Sequence, residues 1–72
     1  MPDLELLSTV ALLEDLPRPG LVRGQIGTIV ERLSPSVAIV EFCDNEGRTY
    51  ALETLDSDIL LRLHDHPLEQ VV

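Results

Sequence analysis

The sequence contains no lysine, no tryptophan and one cysteine, and its apolar runs are short. All five basic residues are arginines, against thirteen acidic residues, which gives a net charge of −8. Non-specific binding to nucleic acid depends on Lys and Arg side chains that neutralise phosphates, and anionic membrane surfaces attract the same residues. The charge therefore argues against nucleic acid and membranes as partners, and it favours a basic protein partner.

The lone cysteine, Cys43, cannot form an internal disulfide, so nothing implies an oxidising compartment. The N-terminal stretch MPDLELLSTV has acidic residues where a signal peptide needs basic ones. No stretch approaches the roughly 20 apolar residues of a membrane-spanning helix. We therefore expect a cytoplasmic protein.

The chain has 72 residues, of which 44% are hydrophobic, and this composition is typical of a folded domain. We expect one domain over residues 1–72, with a core at about residues 9–64 and flexible termini. A barrel of this size fills its interior with its own side chains. Little room is then left for a ligand pocket.

Five apolar runs are separated by turn residues at near-regular spacing, a pattern typical of small all-β proteins. They cover residues 9–13, 26–33, 37–43, 48–54 and 59–64. Between them lie a proline-containing loop at 14–20, a break at Pro35, a tight DNEG turn at 44–47 and a 3-10 or helical turn at 55–58. The pattern predicts an all-β, five-stranded SH3-like barrel with a short 3-10 or helical turn before the last strand. An amphipathic helix over residues 3–16 remains an alternative for the first run.

Alternation along each run predicts which side chains point inward. The residues expected inside are Val10, Leu12, Ile29, Ala38, Val40, Phe42, Tyr50, Leu52, Ile59, Leu61 and Leu63. The same reasoning places the charged Glu41, Glu53 and Arg62 outside, together with several apolar residues. An apolar outer surface on a small barrel indicates a contact surface, and the predicted partner contact consists of Val37, Ile39 and Leu60.

The stretch RGQIGTIVERL carries Gly24 and Gly27 just before and within the second run. A dinucleotide-binding fingerprint needs a third glycine and a following helix, and a phosphate loop needs a lysine. We predict instead that Gly24 and Gly27 have structural roles, where a strand bends and another strand crosses closely. Gly47 has the corresponding role in the DNEG turn. The stretch resembles the glycine motif of KOW-type SH3-like domains.

The stretches TVALLEDLP, GLVRGQIGTIVE, VEFCDNEGRTYAL and DILLRL together cover residues 9–63. They resemble a bacterial, often cyanobacterial, family of short proteins catalogued as a domain of unknown function. Ser8 departs from that family, where an acidic residue would be expected. The resemblance implies an SH3-like barrel, no known catalytic residues and a role as a small protein partner, in some members within antitoxin-like pairs.

No group of residues favours catalysis or metal binding. His64 and His66 lack the third and fourth ligands that zinc needs, and Cys43 is followed by acidic residues that disfavour a reactive thiolate. Adjacent Glu14 and Asp15 would point to opposite sides of a strand. We predict no enzyme activity, no cofactor and no metal. The predicted function is a protein-binding module whose partner is another protein or a second copy, and the alternative is a KOW-type nucleic-acid or ribosome-associated domain.

Overall fold

A computed structural model describes residues 4–18 and 20–63 of the chain. These residues form one antiparallel sheet with the strand order β4-β3-β2-β1-β5. A 3-10 helix, Ser57–Ile59, precedes the last strand, so the all-β prediction and its short helical turn are confirmed. The alternative prediction of an amphipathic helix over residues 3–16 was wrong, since the described part contains no α-helix and residues 9–12 form a strand. The strands are β1 (Thr9–Leu12), β2 (Ile26–Ser34), β3 (Val37–Cys43), β4 (Thr49–Asp56) and β5 (Leu60–Arg62).

The predicted turns join these strands. Between β3 and β4 the Gly47 N–H donates to the Asp44 carbonyl at 3.0 Å, and the Asp44 N–H donates to the Arg48 carbonyl at 2.9 Å. Gly47 has a φ of +82°, a value that a residue with a Cβ rarely adopts. Between β1 and β2, Leu16 and Leu21 form an isolated antiparallel bridge.

The long second strand is bent by an extra residue. Ile29 pairs with Val40 and Glu31 pairs with Ile39, so Val30 has no partner on β3. Such a bulge increases the local twist, and it lies after Gly27, where the ambiguous alternation of this run indicated one. β2 pairs with β1 over Ile26–Thr28 and with β3 over Thr28–Ser34.

The core lies on one face of the curved sheet. Six residues that alternation predicts to point inward are buried and confirm the prediction. Leu21 and Leu55 complete the core from the loop and from β4, and Leu16 and Ile59 pack against it. The six confirmed residues are Val10, Leu12, Ile29, Ala38, Val40 and Phe42.

The predicted inward face of β4 was wrong by one residue. Tyr50 and Leu52 are 48% and 57% exposed, whereas Ala51 is buried. The prediction took the charged Glu53 to face outward, but Glu53 pairs with the core residue Val40 and points inward. The pairing with β3 is also irregular, since Cys43 pairs with Thr49 but Phe42 pairs with Ala51. Tyr50 is therefore an extra residue that reverses the alternation along the strand.

The prediction for β5 was wrong in the same way. Leu60 is 3% exposed and belongs to the core, while Leu61 is 50% exposed. The prediction took the charged Arg62 to face outward, but Arg62 pairs with the core residue Val10, which places Leu60 on the core side with Leu12 and Leu61 on the outer side with Ala11. Leu63 follows Leu61 to the outer face and is half-buried, and its N–H donates to the Thr9 carbonyl.

Arg62 was predicted to point outward, but its side chain is 31% exposed and pairs across the sheet with Val10, a core residue. Its Nη2 donates to Glu5 Oε1 at 2.6 Å. This ion pair links the segment before β1 to the last strand. In the same segment Leu4 is buried in the core, five residues before the predicted start of the core.

Candidate functional site

The predicted contact residues do not form one surface. Val37 and Ile39 lie on β3 and are half-buried. Ile39 pairs with Glu31 and Thr54, so polar side chains flank it across the sheet. Leu60, the third predicted contact, was placed on the outside wrongly, because it is buried in the core. No continuous apolar patch connects the three residues.

A continuous aliphatic surface lies instead on the outer side of β5, β1 and β2. Ala11 pairs with Ile26 on one side and with Leu61 on the other, so the three side chains form one row across the strands. Ile26 and Leu61 are 55% and 50% exposed. Leu63 extends the row on the same side of the sheet, since its N–H donates to the Thr9 carbonyl two residues from Ala11. We call this surface the aliphatic face; it consists of Ala11, Ile26, Leu61 and Leu63.

Ala11 shows that the side chains of this face contact one another. Only 9% of Ala11 is exposed, yet it does not belong to the core cluster. Directly paired residues on one face of a sheet have Cβ atoms about 4.5–5.5 Å apart, so Ile26 and Leu61 cover Ala11 from both sides. The aliphatic face is therefore a packed apolar surface and not a set of isolated exposed residues.

Charge is distributed unevenly over the outer side of the sheet. The aliphatic face carries no charged residue, whereas the outer side of β2, β3 and β4 carries Glu31, Glu41 and Asp56 in successive pairs of the ladder. Within the described ranges, the salt bridges join Arg48 and Arg62 to other acidic residues. None of these three carboxylates pairs with an arginine within the described ranges, although Glu41 accepts the Thr49 hydroxyl and Asp56 accepts the Asp58 N–H.

The glycines predicted to have structural roles occupy two kinds of position. A Cβ on Gly27 would lie 2.6 Å from Val40 Cγ1, 2.9 Å from the Glu41 carbonyl oxygen and 2.9 Å from Phe42 Cε1. Gly27 thus lies where β3 and its side chains approach the backbone of β2 closely. Gly24 has a φ of +91°, and its N–H donates to the Leu12 carbonyl at 2.7 Å. Gly47 has a positive φ in the β3–β4 turn.

The residues weighed for catalysis do not form a site among residues 4–18 and 20–63. Cys43 is exposed, and its Sγ lies 3.9 Å from Thr49 Oγ1. Asp15 accepts a hydrogen bond from the Arg23 N–H at 2.8 Å and so fixes the loop. No group of three or more His, Cys, Asp or Glu residues with metal-binding geometry occurs in this part of the chain. His64 and His66 lie outside the described residues.

The carboxylate of Asp44 stabilises the β3–β4 turn. Its Oδ1 accepts the N–H groups of Arg48, at 3.0 Å, and of Glu46, at 2.9 Å. The hydrogen bond from the Arg48 N–H is the largest cause that lowers the pKa of Asp44 below its ordinary value of 3.8, and the bond from the Glu46 N–H is the next. The nearby Arg48 guanidinium lowers this pKa further. The role of this carboxylate is therefore structural: it accepts backbone N–H groups within the turn.

The fold and this surface define a small all-β protein whose outer side is aliphatic on β5, β1 and the start of β2 and acidic on the rest of β2, β3 and β4. The family described as "Domain of unknown function (DUF4926)" matches residues 6–62, and the chain belongs to this family. The comparison with curated proteins found no match. The comparison with solved structures found no match either. No helix in the described part is long and apolar enough to cross a membrane.

Sequence reasoning missed Ile26 and Leu61 as surface residues. Leu60 and Leu61 are adjacent and equally apolar, so alternation alone cannot decide which of them points inward. Ile26 begins β2 and was not assigned to a face. The signal that decides both positions is the pairing of β1 with β2 and with β5, which only the folded chain shows.

Proposed function

We propose that this protein is a non-enzymatic protein-binding module that contacts a basic protein through the aliphatic face. The observation that carries the proposal is the row Ile26–Ala11–Leu61, which leaves packed aliphatic side chains exposed on a chain of net charge −8. An exposed apolar patch bordered by polar residues is typical of protein contact sites. The carboxylates of the neighbouring strands would attract a basic partner and speed its association.

The architecture supports this role. We propose that the five-stranded sheet is an SH3-like barrel, on the ground that it bends at the Val30 bulge and that β5 returns to pair with β1. A barrel of this size has a filled interior, and function then resides on its surface. A cytoplasmic location and an antitoxin-like role within a two-protein pair would both fit such a module.

Nucleic-acid binding, the alternative that the KOW-like motif suggested, is not favoured by the charge. Single-stranded nucleic acid is bound by aromatic side chains within a positively charged groove, and this chain has one Tyr, one Phe and five arginines. Two of these arginines, Arg48 and Arg62, form ion pairs with acidic residues.

The experiment is capture of partners from a lysate of the source organism with the wild-type protein and with Ile26→Glu. We expect a basic protein that the wild type retains and Ile26→Glu loses, because the carboxylate would lose its hydration against the apolar side chains that the partner places on the aliphatic face. Association measured by calorimetry with the purified partner should weaken by about tenfold or more. The free energy of unfolding should change by less than about 1 kcal/mol, since Ile26 is an exposed residue.

Two further variants make the result specific. Leu33→Glu replaces an aliphatic residue of similar exposure on β2, outside the aliphatic face, and should retain the partner. Ile39→Glu tests the contact predicted on β3. Loss of the partner with Ile39→Glu but not with Ile26→Glu would move the contact to β3, and retention by all three variants would refute a contact on the outer side of the sheet.

A further inference from the structure

The fourth strand is an exposed edge of the sheet. β4 is the terminal strand in the order β4-β3-β2-β1-β5 and has eight residues. Natural edge strands are usually shortened or protected by proline, lysine, a bulge, an inward-pointing charge or a covering segment. β4 has a bulge at Tyr50, and its pairing with β3 is regular from Ala51 to Asp56. β4 contains neither proline nor lysine, and among the described residues no backbone hydrogen bond from another element reaches its free side.

The ladder identifies the backbone groups on that free side. The Ser57 N–H donates to the Ser36 carbonyl at 2.8 Å, which places Ser57 at a hydrogen-bonded position opposite β3. Hydrogen-bonded and outward-facing positions alternate along an antiparallel edge strand. Therefore the N–H and C=O groups of Leu52 and Thr54 and the N–H group of Asp56 face away from β3 and are available to an added strand. The carbonyl of Asp56 is not, because Asp56 caps the 3-10 helix and its carbonyl accepts the first hydrogen bond of that helix.

The side chains of β4 specify the charge of such a strand. Glu53 pairs with the core residue Val40, so it points toward the inner side of the sheet, where it is half-buried. An inward-pointing charge on an edge strand opposes pairing with an apolar strand. Asp56 and Asp58 add two exposed carboxylates at the end of the edge, and neither takes part in a salt bridge within the described ranges.

We propose that the β4 edge binds an extended basic segment of a partner protein, which adds to the sheet as a sixth strand with an Arg or Lys side chain beside Glu53. Backbone hydrogen bonds from Leu52, Thr54 and Asp56 provide the pairing, and the basic side chain provides the specificity. This inference rests on the proposed protein-binding function but concerns a surface other than the aliphatic face. The two surfaces can therefore be tested separately.

A second copy of this chain is a poorer occupant of the same edge. It would bring its own Glu53 and Asp56 to the edge, and each chain has a net charge of −8. Like charges across paired strands are destabilising. Charge complementarity thus selects a basic strand over self-pairing.

The test uses isotope-labelled protein and a peptide of about seven residues in which arginine and valine alternate. At about 1 mM peptide, amide exchange at Leu52, Thr54 and Asp56 should slow by about tenfold as their N–H groups become hydrogen-bonded. The same peptide with all its backbone nitrogens methylated cannot pair with a strand on either side and should give no protection. This control leaves the protein unchanged, so it does not depend on a variant that folds.

A second experiment tests the contribution of charge. Glu53→Gln removes the carboxylate beside the peptide's arginine and should weaken the binding of the arginine peptide by about threefold. Glu31→Gln, an acidic residue on β2 away from the edge, should leave binding unchanged. A peptide with glutamate in place of arginine should not bind.

The alternative outcomes overturn the inference and identify what replaces it. Protection that rises with protein concentration in the absence of peptide would mean that a second copy occupies the edge. Peptide-induced changes in the NMR chemical shifts of Ile26 and Leu61, without protection of the β4 amides, would refute binding at the β4 edge. They would leave the proposed contact at the aliphatic face intact. If about 1 mM peptide changes neither amide exchange nor chemical shifts, strand addition is refuted. The proposed binding through the aliphatic face is tested separately, by partner capture with Ile26→Glu.

Discussion

At the scale of single residues, the two glycines of the RGQIG stretch have different reasons for being glycine. Gly24 needs the positive φ of its turn, but a Cβ there would meet no atom within 4 Å. Gly27 has no positive φ, and a Cβ there would overlap Val40 Cγ1 and the Glu41 carbonyl oxygen. One position is constrained by backbone conformation and the other by the approach of β3.

These constraints predict different losses of stability. Gly24→Ala should lower the free energy of unfolding by about 1 kcal/mol, the strain of a left-handed backbone at a residue with a Cβ. Gly27→Ala should lower it by about 2–3 kcal/mol, because backbone atoms of β3 must move. Urea denaturation of both variants gives the comparison. Equal losses, or an unchanged Gly27→Ala, would contradict close packing at Gly27.

At the scale of elements, the β3–β4 hairpin depends on the ionised carboxylate of Asp44. Backbone N–H groups of Glu46 and Arg48 converge on this carboxylate, and Gly47 closes the turn with its positive φ. The hairpin ends in the irregular pairing that makes Tyr50 an extra residue, so the turn also sets the register in which β4 meets β3.

The turn predicts a pH dependence of stability. Because the pKa of Asp44 is lowered by folding, its contribution is fully present above the ordinary pKa of 3.8 and is lost as the pH falls through the lower folded value. Asp44→Asn should therefore lower the melting temperature at pH 7, and its difference from wild type should vanish in that acidic range. Thermal unfolding as a function of pH tests this, with Glu14→Gln as the control outside the turn. A difference that stays constant with pH would show that the charge of Asp44 is not what stabilises the hairpin.

At the scale of the whole molecule, the segment before β1 closes the core. Leu4 is 1% exposed, although its neighbour Leu6 is 58% exposed. The Glu5–Arg62 ion pair fixes this segment against the last strand, and the Leu7 N–H donates to the Ile29 carbonyl. The first and last parts of the described chain therefore meet at one end of the sheet.

This closure predicts that Leu4 contributes strongly to stability. Leu4→Ala should lower the free energy of unfolding by about 2–4 kcal/mol, the usual effect of removing a buried leucine side chain. Leu6→Ala is the matched control and should change it by about 0.5 kcal/mol or less. A small loss for Leu4→Ala would show that the core is complete without the segment before β1.

The amino-acid sequence by itself determined the all-β class, the approximate positions of five strands, the turns and six of the core residues. Each of these follows from local chemistry: alternation of apolar residues, the fixed φ of proline and the positive φ that glycine allows. Ala38, Val40 and Phe42 were predictable because the charged Glu41 defines the outward side of that run.

The tertiary structure alone decided which side of β4 and β5 is buried, and with it the position of the exposed surface. In β4 the extra residue Tyr50 reverses the alternation, and in β5 the adjacent leucines Leu60 and Leu61 are equivalent until the strand pairs with β1. Register is a property of paired strands, and a shift of one residue exchanges the core face for the solvent face. For this reason the aliphatic face around Ile26 and Leu61 could be found only in the folded chain.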